Sequence, residues 1–187
     1  MTIKGIDVSS YQPSDFSTSG LDFVIVKATE GVGYVNPKMT TQAAHAREDG
    51  LVVGFYHFLR PGDMAAQAQF FTDRACSMEG DPLFADWEDP DVSSANKDQF
   101  LSEVKKLRGK AHRVGLYCNR DYWLNRDSTS NAGDALWIAD YVNPGTPRIT
   151  ASWLFHQYAE HPIDSNLARF PDRAALRTWA TVKGVSG

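Results

Sequence analysis

Short apolar runs alternate with helical patterns along this chain, and nearly every run ends in polar or aromatic residues. The runs that predict strands cover residues 3–8, 23–30, 51–58, 82–85, 113–118, 135–141 and 153–158, and an eighth begins at residue 163. Strands that alternate with helices form parallel sheets, and eight such strands are typical of a closed barrel. The 187 residues fall short of the roughly 250 that a full eightfold barrel usually takes. The sequence therefore predicts an α/β fold: a shortened, irregular β/α (TIM-like) barrel with about eight strands and fewer than eight helices.

The end of the chain shows where the barrel is shortened. Only residues 159–162 separate the last two predicted strands, whereas a parallel crossover takes a dozen residues or more. We therefore predict a hairpin, with the last strand antiparallel and Asp164 beside the end of strand 153–158. The segment before that strand, with Pro144 and Pro147, has no helical pattern.

Helical patterns fill most of the other connections. They are predicted from Pro37 to Gly50, from the capping Asp63 to Gly80, from Asn96 to His112, around 122–124, and over 167–179. Proline is common at the first helical position, and glycine is common just past the last. In the segment from Asn96 to His112, the residues Phe100, Val104 and Leu107 are predicted to form one buried stripe.

Composition and charge restrict the function. The chain is 42% hydrophobic and 22% charged with a net charge of −4, which is typical of a soluble globular protein and argues against nucleic acid as the main partner. Two cysteines without zinc-type spacing predict neither a disulfide scaffold nor a metal site. The start has no apolar signal segment, so we expect synthesis in the cytoplasm. We expect one catalytic domain over residues 1–180 and a linker-like tail over 181–187.

Two acids follow the predicted strand at 82–85. Side chains two apart share one face of a strand, with Cα atoms roughly 6.5–7 Å apart, so Asp86 and Glu88 would be neighbours. Like charges this close raise the pKa of one carboxyl. A raised acid beside an ionised carboxylate is the pair that cleavage of a glycosidic bond requires.

The remaining strand ends extend this pattern. In such barrels, functional side chains lie at the carboxyl ends of the strands. The polar or aromatic residues there include Asp7, Lys27, Glu30, Tyr56, His57, Tyr117, Asp140, Gln157 and Tyr158, with Asp164 across the hairpin. The sequence thus predicts an acidic cleft lined by aromatic side chains.

With these features, the chain resembles the glycoside hydrolase family 25 lysozymes. The resemblance extends from Gly5 to Asn166 and is carried by residues 5–9 (GIDVS), 23–31 (FVIVKATEG), 54–58 (GFYHF), 86–88 (DWE), 136–139 (LWIA), 157–158 (QY) and 163–166 (IDSN). The family usually has tryptophan where this chain has His156, and often an apolar residue where it has Trp87. These departures concern the shape of the sugar subsites more than the carboxylates.

The resemblance implies a peptidoglycan muramidase that hydrolyses the β-1,4 bond between N-acetylmuramic acid and N-acetylglucosamine. It implies four catalytic carboxylates, Asp7, Asp86, Glu88 and Asp164. Candidate contacts to the sugar are Tyr56, Tyr117, Trp137, Gln157 and Glu30, with core packing as the alternative for each aromatic residue and an ion pair with Lys27 as the alternative for Glu30. We expect Glu88 to be the general acid, its pKa raised by the surrounding carboxylates. Asp86 would act either as nucleophile or as a helper to the substrate's own acetamido oxygen, and the close spacing favours retention. Asp7 and Asp164 would tune these pKa values and hold water or substrate.

Two other functions are compatible with an acidic cluster. One is a metal-dependent phosphoesterase that binds Mg²⁺ or Ca²⁺, although no basic residues cluster nearby to hold a phosphate. The other is a module that binds cell-wall glycan without cutting it, but such relatives would be expected to lose Asp86 or Glu88. We expect neither a metal nor another cofactor. The expected partner is the peptidoglycan glycan strand, and we expect a monomer that does not insert into membranes. Its site of action would be the bacterial cell wall, reached by phage-encoded release or as part of a longer secreted chain.

Overall fold

The computed structural model describes residues 1–182, which form a closed barrel. Its strands are β1 (Ile3–Val8), β2 (Phe23–Glu30), β3 (Tyr34–Val35), β4 (Val52–Phe58), β5 (Leu83–Asp86), β6 (Val114–Asn119), β7 (Leu136–Ala139), β8 (Phe155–Ala159) and β9 (Ser165–Ala168). The order around the barrel is β1-β9-β8-β7-β6-β5-β4-β2, closed by the pairing of β1 with β2. The short β3, which we did not predict, pairs with β2 outside the barrel wall. All but the first two residues of the predicted tail, 181–187, lie outside the described residues.

The predicted hairpin at the end of the barrel is confirmed. β8 and β9 are antiparallel, with Gln157 opposite Asn166. β9 is also antiparallel to β1, where Asn166 faces Gly5, while the other barrel pairings are parallel. Residues 140–154, all of them described, contain no helix. The single reversed strand therefore closes the barrel where the chain is too short for another crossover.

In the described part of the chain, four α-helices and one π-helical turn pack around the strands: α1 (Met39–Glu48), α2 (Met64–Arg74), α3 (Ser94–Arg108), α4 (Arg173–Ala180) and the turn Tyr122–Arg126. The predicted start of α1 at Pro37 is wrong, because Asn36 forms a turn in which its side chain accepts from the backbone N–H of Lys38. The predicted end of α2 at Gly80 is also wrong. Its cap Ala75 is extended, and the following loop is held by the backbone N–H of Met78, which donates to Asp81.

The last two helices also differ from prediction. α3 ends at Arg108 rather than at His112, whose ring is buried and bonded to the carbonyl of Asp81. Leu107 is 40% exposed, and Leu101 packs on the inner face instead. The predicted helix over 167–179 begins only after Asp172, because Leu167 and Ala168 pair with β1 and β8 as part of β9.

Strand alternation divides the apolar side chains into two layers. On β2, Phe23 and Ile25 point into the barrel, whereas Val24 and Val26 pack under the helices. On β1, a Cβ at Gly5 would lie 2.5 Å from the Phe23 ring, so glycine there makes room for this aromatic side chain. Packing this close makes the barrel interior a solid core rather than a pore.

The two ends of the barrel differ, because one is covered by a helix and the other is open. At the amino ends of the parallel strands, Leu176 of α4 packs with the interior cluster, and Arg173 binds the carbonyls of Leu21 and Gly50. The carboxyl ends open into a cavity. Within residues 1–182, none of the helices is both long and apolar enough to cross a bilayer.

Candidate active site

A cavity of about 260 Å³ opens at the carboxyl ends of the parallel strands. Its walls carry acidic, aromatic and amide side chains, namely Asp7, Tyr56, Asp86, Glu88, Tyr117, Trp137, Tyr141, Gln157, Glu160 and Asp164. The fold thus brings the four predicted carboxylates to one site, together with four of the five side chains predicted to contact the sugar. The exception is Glu30, which is not part of the lining.

The pair Asp86 and Glu88 keeps a common face although β5 ends at Asp86. The backbone N–H of Trp87 donates to the carbonyl of Tyr117 at 2.9 Å, which continues the ladder with β6. The Trp87 indole points the other way and donates to the carbonyl of Val92 at 2.8 Å. Alternation therefore returns Glu88 to the cavity, and its carbonyl accepts a hydrogen bond from the hydroxyl of Tyr122.

The carboxyl of Glu88 has a raised pKa, chiefly because it is buried. The charge of Asp164 raises it further, whereas the hydroxyl of Tyr117, which donates to Oε1 at 3.3 Å, lowers it. We predicted that the neighbouring carboxylates would be the cause, but burial contributes most. The direction suits a proton donor, because a raised pKa keeps the acid protonated at higher pH.

Asp86 is only 5% exposed, and burial followed by the charge of Glu88 raises its pKa well above the usual value. Its Oδ1 is buried and accepts no hydrogen bond from residues 1–182. A buried oxygen without a donor is costly. The residue lines the cavity, so the carboxyl group is available to a group that a ligand brings.

Two amide side chains donate hydrogen bonds to the carboxyl of Asp7. Its Oδ2 accepts from Nε2 of Gln157 at 2.8 Å and from Nδ2 of Asn166 at 2.7 Å. Burial and the charge of Asp164 raise the pKa of Asp7 well above its usual value, although the two amides lower it. Asp164, whose carbonyl accepts from the backbone N–H of Asp7 at 3.1 Å, also has a raised pKa, first through burial and then through Glu160.

Three residues of the site were not predicted: Tyr141, Glu160 and Asn166. The hydroxyls of Tyr117 and Tyr141 donate to Oε1 of Gln157 at 2.9 and 3.1 Å. Alternation could have indicated Asn166, since it follows Asp164 by two residues in the closing strand. The predicted hairpin could likewise have indicated Glu160, which lies in its loop.

Some predicted strand-end residues point elsewhere. Glu30 is bound on both oxygens, by Arg60 at 2.6 Å and by Lys27 at 2.7 Å. Asp140 is paired with Arg148 at 2.6 Å. Trp137 does line the cavity, but it is 1% exposed and its indole N–H is bonded to Asn166. Its position favours packing and hydrogen bonding within the protein over a broad contact with a sugar.

A second cavity of about 410 Å³ adjoins the first, and Glu88 and Tyr141 line both. Its other walls carry Asn119, Arg120 and Arg148, among others. Glu88 therefore lies between two spaces that open on the same face of the barrel. Across residues 1–182, no group of three or more His, Cys, Asp or Glu side chains is arranged to hold a metal ion.

Comparisons of the sequence and of the structure with known proteins indicate the same family. The sequence model of the Glycosyl hydrolases family 25 matches residues 6–167. The chain is 33% identical over 153 residues to the N,O-diacetylmuramidase of Chalaropsis sp, covering 70% of this chain and 72% of the relative. It is 32% identical over 167 residues to the autolytic lysozyme of Clostridium acetobutylicum, covering 84% of this chain but only 51% of the relative. The structure of a muramidase from Acremonium alcalophilum superposes with a TM-score of 0.76 at 26% identity, covering 97% of this chain and all of that one.

Proposed function

The chain belongs to glycosyl hydrolase family 25, and from this we propose that it is a muramidase. It hydrolyses the β-1,4 bond between N-acetylmuramic acid and N-acetylglucosamine in peptidoglycan. The observation that carries this proposal is the gathering of Asp7, Asp86, Glu88 and Asp164 in one cavity. Hydrolysis of a glycosidic bond commonly uses a pair of carboxyls, one of them protonated, and we propose that the carboxyls of this cavity supply that pair.

Glu88 is the proposed general acid. It lies where the two cavities meet, so a glycan strand bound across both would place the bond to be cut beside its carboxyl. Its raised pKa keeps the proton available for the leaving oxygen. The single O–H of Tyr117 lies 2.9 Å from Oε1 of Gln157 and 3.3 Å from Oε1 of Glu88, and by turning to Glu88 it would stabilise the anion that remains after proton transfer.

Asp86 is the proposed partner of Glu88. Its carboxyl, which lines the cavity, would either attack the sugar or hold the acetamido group whose own oxygen attacks. Both routes retain the configuration of the sugar. Tyr56, Tyr117 and Gln157, which line the same cavity, are the proposed contacts to the bound sugar, and Asp7 and Asp164 set the protonation of the group.

The proposed partner is the peptidoglycan glycan strand, and the place of action is the bacterial cell wall. We expect the protein to act as a monomer, since the site draws on the strands of one barrel. The alternative of a metal-dependent phosphoesterase would require that activity be lost on chelation of divalent ions.

The test is the release of reducing ends from purified peptidoglycan by the wild type and by Glu88→Gln. Loss of a general acid lowers the rate by about 10²–10⁴-fold, and muramic acid is expected at the new reducing ends, first in the β configuration. The matched control is Glu48→Gln, which changes an exposed glutamate at the end of α1 and should leave the rate unchanged.

Other outcomes would identify a different function. Protein that binds the glycan without releasing reducing ends would be a binding module. Full activity of Glu88→Gln would mean that another group donates the proton, and complete loss of wild-type activity in EDTA would favour the metal-dependent reaction.

A further inference from the structure

A chain of hydrogen bonds reaches the acidic cluster from inside the barrel. The indole Nε1 of Trp137 donates to Oδ1 of Asn166 at 2.8 Å, and Nδ2 of Asn166 donates to Oδ2 of Asp7 at 2.7 Å. Trp137 is 1% exposed and Asn166 is fully buried. We propose that Trp137 is a positioning residue which, through Asn166, fixes the oxygen of Asp7 that faces the substrate.

The direction of this chain follows from the chemistry of the indole. An indole N–H donates and cannot accept. If the amide of Asn166 were reversed, its NH₂ group would face the N–H of Trp137, and two buried donors would oppose each other. Trp137 therefore holds the oxygen of Asn166 towards itself and the NH₂ group towards Asp7.

The second amide that binds Asp7 is not fixed in the same way. Gln157 also donates to Oδ2 of Asp7, at 2.8 Å, and its oxygen accepts from the hydroxyls of Tyr117 and Tyr141. A hydroxyl can donate or accept, so these two bonds would persist if the amide of Gln157 reversed. Of the two amides, therefore, only that of Asn166 is oriented by an indole N–H, which can donate but not accept.

Two N–H donors on one oxygen have a consequence for the other. They occupy both lone pairs of Oδ2, so a proton on Asp7 can be placed only on Oδ1, which accepts no hydrogen bond from residues 1–182. Asp7 lines the cavity and thus presents Oδ1 alone to a ligand, either as an acceptor or as an O–H donor. For the muramidase proposed above, on which this functional role rests, Asp7 would hold one defined substrate group rather than two alternative ones.

Several titratable groups, in addition to the two amides, face Asp7. They are Asp164 before β9, Asp86 and Glu88 at the end of β5, Tyr56 on β4, Tyr117 on β6 and Tyr141 after β7. Burial, followed by the charges of Asp164 and Glu88, raises the pKa of Asp7, whereas the two amides lower it. Removing the Trp137 donor would leave only the long bond from Nδ2 of Asn166 to the carbonyl of Asp164, at 3.4 Å, to oppose the reversed amide. The oxygen of the reversed amide would accept a proton carried on Oδ2 and so stabilise neutral Asp7.

The test is a carboxyl NMR titration of protein labelled with ¹³C at aspartate. Trp137→Phe removes the indole N–H and keeps an aromatic ring, although a smaller one, and Asn166→Leu removes the amide. Each should raise the pKa of Asp7 by about one unit, the equivalent of one hydrogen bond. The pH profile of kcat/KM should move in the same direction. The matched control is Trp153→Phe, because Trp153 is also buried but its indole N–H bonds to none of the described residues.

The titration requires no substrate, so it can be interpreted even if peptidoglycan is not cleaved. A titration of Asp7 in Trp137→Phe that superposes on the wild type would overturn the proposal, provided that circular dichroism shows the variant folded. So would an equal shift in Trp153→Phe, since that would indicate a general effect of losing a buried indole. A fall in melting temperature without any movement of the titration would assign Trp137 a packing role only.

Discussion

At the scale of single residues, the site consists of carboxyl groups whose ionised form is disfavoured by burial. Asp7, Asp86, Glu88 and Asp164 all have raised pKa values, with burial as the largest cause in each case. A raised pKa means that the folded protein binds protons that the unfolded chain releases. The stability from these groups is therefore complete below about pH 4, the unfolded value, and is lost as the pH rises through the folded value.

Asp86→Asn tests this cost directly. It removes the charge from the buried carboxyl that also lacks a hydrogen bond on Oδ1. We expect the variant to be more stable than the wild type at pH 7 by about 1–2 kcal/mol, or about 3–6 °C in melting temperature. The difference should shrink towards pH 4, and hydrolysis should be lost at every pH.

The control is Asp15→Asn, which changes an exposed aspartate and should leave the melting temperature within about 1 °C. Equal or lower stability of Asp86→Asn at pH 7 would mean that this carboxyl gains more from its surroundings than burial costs.

At the scale of elements, the loop between β5 and α3 carries Glu88, and its far end is fixed by the cap of α3. Ser93 and Asn96 form a capping box in which Oγ of Ser93 accepts from the backbone N–H of Asn96 at 3.1 Å. Within the loop, the indole N–H of Trp87 donates to the carbonyl of Val92. The position of Glu88 thus depends on contacts at both ends of a short loop.

Ser93→Ala should destabilise the protein by about 1 kcal/mol, because the backbone N–H of Asn96 at the start of α3 loses its side-chain acceptor. The free energy of unfolding in urea measures this loss. Ser102→Ala changes an exposed serine in the same helix and should be neutral or slightly stabilising. A destabilisation of equal size in both variants would argue against a specific role of the cap.

At the scale of the whole molecule, stability and chemistry lie at opposite ends of the barrel. α4 closes the amino ends of the parallel strands, where Leu176 is 1% exposed among the interior aromatic residues. The carboxyls lie at the other end. A change in α4 should therefore alter the stability of the barrel without altering the geometry of the site.

Leu176→Ala should cost about 2–5 kcal/mol in the free energy of unfolding, as for other buried leucines. Measured well below its melting temperature, the variant should retain the kcat of the wild type. Thr178→Ala, at an exposed position of the same helix, is the control for both measurements. A large fall in kcat of folded Leu176→Ala would show that the two ends of the barrel are coupled.

Much of the barrel could be predicted from local pattern. The bounds of β1 and β2 were predicted to the residue, and β2 shows why: a strand buried between parallel neighbours is continuously apolar until its last residues. Helix ends were predicted less well. Pro37 and Gly80 are residue types that commonly mark helix ends, but side-chain contacts formed elsewhere in the fold decided where α1 begins and where α2 ends.

The sequence by itself determined which carboxyls could meet, since strand alternation and the short hairpin place Asp7, Asp86, Glu88 and Asp164 at one end of the barrel. Only the tertiary structure decided what surrounds them. Glu30, at a strand end like the others, is bound by Arg60 and Lys27, and Trp137 is committed to Asn166. Alternation depends on the backbone of one strand, whereas burial and hydrogen bonding depend on side chains contributed by several strands, which are remote in the sequence and meet only in the closed barrel.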